Sequence, residues 1–272
     1  MKKLLLLLTL GLTAFSPAVA EDMPSVDEIV SKSNIAAYYQ GQDGKSHVEM
    51  TITDSQGRER KRVFNILRRT VEVGGDQNYF VYFQEPADVR RMVYLVQKHT
   101  GVDADDDRWL YLPNLDLVKR IAASDKRTSF VGSDFLYEDV SGRSIELDTH
   151  ELAKATDDRY VLKNVPKKPD EVEFSYYFVE IDKATYMPMK MEYYDKNGEK
   201  YRVVESVKME MIKAKEGDKE VEYPTVTESV AKDLKTGSTT EMKFKNVKYN
   251  VGLEENLFTE RYLRRPPREA MR

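Results

Sequence analysis

The sequence predicts a mainly β protein, with roughly eleven to thirteen strands paired mostly as sequential hairpins and few helices. Three observations carry that reading. Apolar residues recur with period two through most of the chain, as in "HVEMTITD", "RVFNILRRTV" and "TTEMKFKNVKY". Glycine-bearing turns separate such runs: "SQGR", "YDKNGEKY" with Asn197-Gly198, and "DLKTGST" with Gly237. The strands follow one another without the helical runs that parallel βαβ units require, which leaves a sandwich or a barrel.

The first twenty residues, "MKKLLLLLTLGLTAFSPAVA", join a basic start, an apolar run from Leu4 to Phe15 and a small-residue site at Ala18-Val19-Ala20. That pattern marks residues 1–20 as a cleavable export signal and residues 21–272 as one domain. No later segment has the roughly 20 apolar residues of a membrane helix. The chain has no Cys, which excludes disulfides, a lipidated cysteine, thiolate metal sites and cysteine nucleophiles. The expectation is a soluble protein of the periplasm that is not itself lipidated. Loss of Lys2 and Lys3 leaves 41 basic residues against 47 acidic ones, a net of about −6. That balance argues against a nucleic-acid partner and against adsorption to an anionic membrane by charge alone.

Val26 to Tyr39 reads as an amphipathic helix. Ser25 and Glu28 have capping-box spacing, and Val26, Ile29, Val30 and Ala37 form an apolar face broken by Ser33. Period two follows at once, through "NYFVYFQ", "MVYLVQKH", "DRWLYLP" and "LVKRIA". Several of these strands are apolar on both faces. Tyr79, Val81 and Phe83 oppose Phe80 and Tyr82; Met92, Tyr94 and Val96 oppose Val93 and Leu95; Trp109 and Tyr111 oppose Leu110 and Leu112. Such strands need cover on both sides. Either a two-layer core supplies it, or the sheet curves around an apolar hollow that holds a greasy ligand. Met187, Met189 and Met191 share one strand face, and Met209 and Met211 another, as core filling or as an adaptable lining.

The stretch "SFVGSDFLYEDV" (Ser129 to Val140) is neither a strand nor a long helix. Gly132 supplies a turn, and Ser133 or Asp134 can cap a short helix to about Val140. Leu136 and Val140 share a face of it, with Phe135 beside them and Phe130 before the turn. The piece reads as a helical plug with an apolar underside. Asp134, Glu138 and Asp139 face water or meet Arg120 and Arg127. A latch between Arg120 and Asp134, with Gly132 as the hinge, is the sharper expectation; an ordinary surface salt bridge is the plainer one.

"DRWLYLPNLDLVKRI" and "SFVGSDFLYEDV" together resemble the outer membrane lipoprotein-sorting protein family, a LolA-like branch of the LolA/LolB carrier superfamily. "IDKATYMPMKMEYYDKNGEKY" is similar to that family's later hairpin, and "ENLFTERYLRRP" to its ending. The similarity spans most of the chain after residue 20. It departs after "EPADVR", where the family often has a Gly and Arg91 stands here. The resemblance implies an antiparallel sheet curled into an incomplete, half barrel, with short helices forming a lid over an apolar cavity. It implies a periplasmic carrier or chaperone of lipid or lipid-modified protein. Such a carrier takes its cargo's acyl chains from an inner-membrane transporter, of RND type in this branch, to an outer-membrane acceptor. On that reading Tyr79, Val81, Phe83, Tyr94, Trp109, Tyr111, Phe130, Phe135, Leu136, Met189 and Met191 line the cavity and lid, and no cofactor is needed.

Catalytic signals are weak. His47, His99 and His150 lie in no metal-ligand spacing, and there is no GxSxG, P-loop or dinucleotide fingerprint. "DADDD", Asp103 to Asp107, lacks the glycine and terminal glutamate of an EF-hand and reads as a solvated loop. The ending, with Arg261, Arg264, Arg265, Arg268 and Arg272, reads as a frayed tail, or as a contact for lipid headgroups. The expectation is a carrier and not an enzyme. Its rival is a sensing or interaction module that binds the same cargo without moving it, and an uncharacterised hydrolase ranks last.

Overall fold

The computed structural model describes residues 23–100 and 104–272; the expected export signal lies outside them. After helix α1 (Val26–Tyr38), six strands run as a meander: β1 (Asp43–Thr53), β2 (Glu59–Thr70), β3 (Gln77–Glu85), β4 (Val93–Lys98), β5 (Asp107–Leu112) and β6 (Leu117–Arg120). A second meander holds β7 (Asp148–Ala155), β8 (Arg159–Pro166), β9 (Phe174–Asp182), β10 (Pro188–Asp195), β11 (Lys200–Glu216), β12 (Lys219–Asp233) and β13 (Ser238–Tyr249). Pairing of β1 with β13 joins the two meanders into one antiparallel sheet of thirteen strands, which does not close on itself.

The order places β6 at one edge and β7 at the other. These strands are consecutive in sequence, so residues 121–147 must cross the sheet from edge to edge. This strap contains a turn at Gly132 and the helix α2 (Tyr137–Ser141). Phe130 and Phe135 seat it on the inner face of β1–β5, in one cluster with Val48, Phe64, Val81, Phe83 and Tyr94.

The outer face of β2–β5 is covered by the segment after β13. Leu253, Leu257, Phe258, Leu263 and Ala270 pack on Leu67, Phe80, Val93, Leu95 and Tyr111. The frayed tail expected there is therefore a correction: α3 (Arg268–Met271) buries Ala270 fully, and Asn65 donates to the Ala270 carbonyl at 2.9 Å. Apolar strands left bare on that side would cost about 1.5–3 kcal/mol per large side chain, and the tail removes that exposure.

Helix α1 begins as its capping residue predicts, with the Glu28 N–H donating to Ser25 Oγ at 3.2 Å. It buries Ile29 and Val30 against Tyr160, Leu162 and Ile181 of β8 and β9. The departure after "EPADVR" resolves simply. Arg91 has φ +69°, so it holds the left-handed conformation that glycine favours, and its N–H reaches the Phe83 carbonyl at 2.8 Å. The acid run is only partly solvated: Asp106 is bound by Arg108 at 2.5 Å, and the arginine is buried and the aspartate half-buried. Among the described residues no helix is long and apolar enough to cross a membrane.

Candidate functional site

The inner face is filled on one side and hollow on the other. Where the strap lies on β1–β5, Phe130 is fully buried, with ring centroids 5.5–6.0 Å from Phe64, Phe83, Tyr94 and Tyr137. Beside it a cavity of about 390 Å³ remains, within the size range of sites for small apolar ligands. Its floor is Phe64, Ile66, Met242 and Phe244. Leu162, Val179, Ile181 and Met191 form a wall from the second meander. The roof is α1, through Ser33, Asn34, Ala37 and Tyr38, and the strap, through Phe130, Phe135 and Val140. Alternation explains the lining: one face of each strand turns inward, and the sheet's curvature gathers those faces.

The strap is held to the second meander by charge. Arg127 donates to Glu138 at 2.6 Å and grips Glu173 with two nitrogens at 2.8 Å. Arg143 joins Glu138 to Asp148, which also accepts from the Tyr177 hydroxyl at 2.8 Å. The Arg127 and Glu138 side chains are only 6% and 4% exposed. Burial alone would push the Glu138 carboxyl up, but Arg127 and Arg143 outweigh it and hold it below the usual range. Arg127 lies 4.7 Å from the Phe174 ring centroid and Arg202 5.1 Å from that of Tyr193, so aromatic faces carry part of the desolvated charge. Arg202 also binds Asp139 on α2.

Further contacts tie the strap to the rest of the roof. Lys98 of β4 donates to the Ser141 carbonyl at 2.8 Å, and its ammonium lies 5.4 Å from the Tyr38 ring. Burial pulls the Lys98 ammonium down to about 8. Gly142, at φ +78°, lies so close to Tyr38 that a Cβ would sit 2.6 Å from the ring. Arg68 binds the carbonyls of Tyr38 and Gln40, fastening the end of α1 to the sheet.

Of the residues expected to line the cavity, Tyr79, Phe130, Phe135 and Met191 do so. Val81, Phe83 and Tyr94 share that face but lie under the strap, in the packed cluster. Leu136 precedes α2, half-buried, and is not part of the lining. Trp109 and Tyr111 belong to the outer face, against the tail, because Leu110 of the same strand turns inward. Met189 is absent from the lining because a bulge between Pro188 and Lys190 breaks the alternation that would align it with Met191.

The expected latch is corrected as well. Arg120 binds Asp107, while Asp134 accepts from the hydroxyls of Ser238 and Thr240. Gly132 does mark a turn, at φ +79°, and Arg60 donates to its carbonyl at 3.1 Å. Sequence reasoning placed Glu138 and Asp139 beside a basic partner but missed Arg143 and Arg202. The signal available was a pair of arginines next to aromatic-rich strands, which is common enough to point nowhere by itself.

A family profile described as "Uncharacterized protein" matches residues 75–265. No curated protein matches the chain. Among solved structures, a DUF1329 family protein from Desulfovibrio piger is 30% identical, over 88% of this chain and 97% of that one, with a TM-score of 0.76. An outer membrane lipoprotein-sorting protein domain from Vibrio parahaemolyticus is 29% identical over the same shares, with a TM-score of 0.75. A LolA superfamily protein from Nitrosomonas europaea, 17% identical over 88% of this chain and all of that one, shares the fold at a TM-score of 0.66.

Proposed function

This chain belongs to the DUF1329 family, and we propose that it is a periplasmic carrier that holds the acyl chains of a lipid or lipid-modified protein in its hollow. The observation that carries the reading is the cavity itself: an apolar space of about 390 Å³ inside an unclosed sheet, roofed by two separate segments. The lipoprotein-sorting description of the Vibrio relative supports the class of cargo. The proposal is for binding and not turnover. Movement from an inner-membrane transporter, of RND type, to an outer-membrane acceptor is its further content, with residues 1–20 as the export signal.

The energetics require a moving roof. A chain of about 16 carbons buries roughly 0.8 kcal/mol per CH₂, so about 12 kcal/mol gross. That holds a lipid away from water and would make release slow. A carrier therefore needs a second state with a weaker grip. The roof suits this, since α1 and the strap are held to the sheet by side-chain packing and ion pairs and not by strand pairing.

Gentle purification from the periplasm followed by mass spectrometry of the bound material tests the cargo. Transfer of a fluorescent lipid between vesicles tests the carrying. Recovery of a lipid with no transfer would favour the rival sensing role; recovery of no lipid at all would remove both.

A further inference from the structure

On the outer face of the sheet, behind the hollow and sharing Lys45 and Ser46 with its lining, a second cavity of about 350 Å³ opens between β1, β13 and the end of the tail. Lys45, His47, Asn65, Lys248 and Arg272 are among its lining residues, and Glu269 is the single carboxylate side chain there. We propose that this is a binding site for a phosphate group, either a membrane lipid headgroup or a soluble phosphate ester.

Register makes the first argument. Lys45 and Lys248 stand directly opposite each other on adjacent strands. Like charges in that position repel, so the pair is a cost the fold carries unless something anionic lies between them. The two neighbouring lysines of β13 have carboxylate partners: Lys245 binds Glu49 at 2.6 Å and Lys243 binds Glu241 at 3.1 Å. Lys45, Lys248 and Arg272 have none among the described residues.

A second argument is preorganisation. Asn65 donates from its amide nitrogen to the main-chain oxygens of Ala270 and Arg272, at 2.9 and 3.3 Å, which aims its own oxygen at His47 Nδ1, 2.9 Å away. The ring is thereby fixed with Nδ1 donating; neutral, it presents Nε2 as an acceptor, so the donors for an oxyanion are the ammonium and guanidinium groups. Between Lys45 and His47 the register with β13 shifts, and Asn246 takes φ +52°, so a bulge spreads the strand where the cavity opens. The Lys45 and Lys248 ammoniums and the Arg272 guanidinium, brought to one cavity from two strands and the tail with the Asn246 amide beside them, suit an oxyanion with several acceptor oxygens.

The test uses the full chain and Lys45→Gln/Lys248→Gln, with Lys213→Gln/Lys219→Gln on the distant β11–β12 hairpin as the charge-matched control. Calorimetry reads binding of inorganic phosphate against chloride at equal ionic strength. Flotation reads binding to phosphatidylcholine vesicles with and without phosphatidylglycerol. The expected result is saturable binding in at least one arm, weakened about tenfold or more by the first double variant and unchanged in the control. Phosphate binding alone identifies a soluble ester; vesicle binding identifies a headgroup. Equal weakening in both variants, or no binding in either arm, overturns the site. Lys45 also lines the hollow, so lipid transfer is read on Lys248→Gln alone, which borders only the outer cavity; phosphate binding lost with transfer intact keeps this outcome separate from the carrier reading.

Discussion

At the scale of single residues, Glu138 and Lys98 are charges buried for opposite reasons. Glu138 sits between Arg127 and Arg143, and its carboxyl is held low despite burial. Glu138→Gln removes the carboxylate that two buried guanidiniums share, leaving Arg127 with Glu173 and Arg143 with Asp148, and is expected to destabilise by about 3 kcal/mol in urea unfolding at pH 7. A folded-state value below the unfolded 4.5 means that this stability is present above pH 4.5 and lost as pH falls through the folded value. The gap between wild type and variant should therefore narrow in acid; a gap that persists there would show that charge is not its cause. Lys98 runs the other way, with its ammonium lowered from 10.5 to about 8 by burial. Below pH 8 both folded and unfolded states carry the proton, and the folded state bears the full penalty, about 3 kcal/mol. Between 8 and 10.5 stability rises with pH, and above that the penalty is gone. Lys98→Met should thus stabilise at pH 7 by about 1–2 kcal/mol, net of the lost bond to Ser141, and lose that advantage by pH 10.5. Arg91 offers a smaller test. It stands where the resembling family often has glycine, and it keeps the glycine conformation. Arg91→Gly should raise stability by up to about 1 kcal/mol, read as a higher urea midpoint at unchanged slope.

At the scale of elements, the strands were legible and the strap was not. Period two and Asn-Gly or Thr-Gly turns report local backbone geometry, so β1 to β13 could be read from adjacent residues. Helix α1 was equally plain, from Ser25 at its cap to the apolar face formed by Ile29 and Val30. The strap answers to contacts 60 to 110 residues away: Arg202 with Asp139, Thr240 with Asp134, Arg60 with Gly132. No local pattern encodes such pairs, and a single sequence gives no covariation to reveal them. Nearness in sequence points to Arg120 as the latch, but β6 turns that side chain to Asp107. The tail differs from its sequence expectation for a related reason. "RRPPREAMR" has the composition of a frayed end, and only the unmet outer face of β2–β5, apolar at Phe80, Val93 and Leu95, demanded cover. Deleting residues 251–272 should expose that face and yield a chain that aggregates on expression, whereas a soluble, cooperatively unfolding truncation would show that the tail is dispensable.

At the scale of the whole molecule, the topology itself makes the lid. A sheet whose two edges are consecutive in sequence needs a long crossing segment, and here that segment lies over the inner face between the filled half and the hollow. The strap cannot leave the protein, because it is anchored at β6 and β7, but it can lift from β12 and β13 without breaking any strand pairing. Its polar contact there is Asp134 with Ser238 and Thr240 of β13, beside the apolar cluster that Phe130 and Phe135 share with Ala231 of β12 and Met242 of β13. The chain has no cysteine, so an introduced pair would be the only thiols present. Asp134→Cys/Thr240→Cys places two thiols at a point where the Asp134 N–H already reaches the Thr240 hydroxyl at 2.9 Å, close enough for a disulfide to be formed with small adjustment. If the strap must lift for acyl chains to enter and leave, the oxidised variant should stop transferring lipid between vesicles, and reductant should restore the rate. Lipid loaded before oxidation should then be trapped, since the interior grip no longer has a weaker state to pass through. Equal transfer by the oxidised and reduced forms would move the gate to α1, the other half of the roof, whose end is fastened by Arg68.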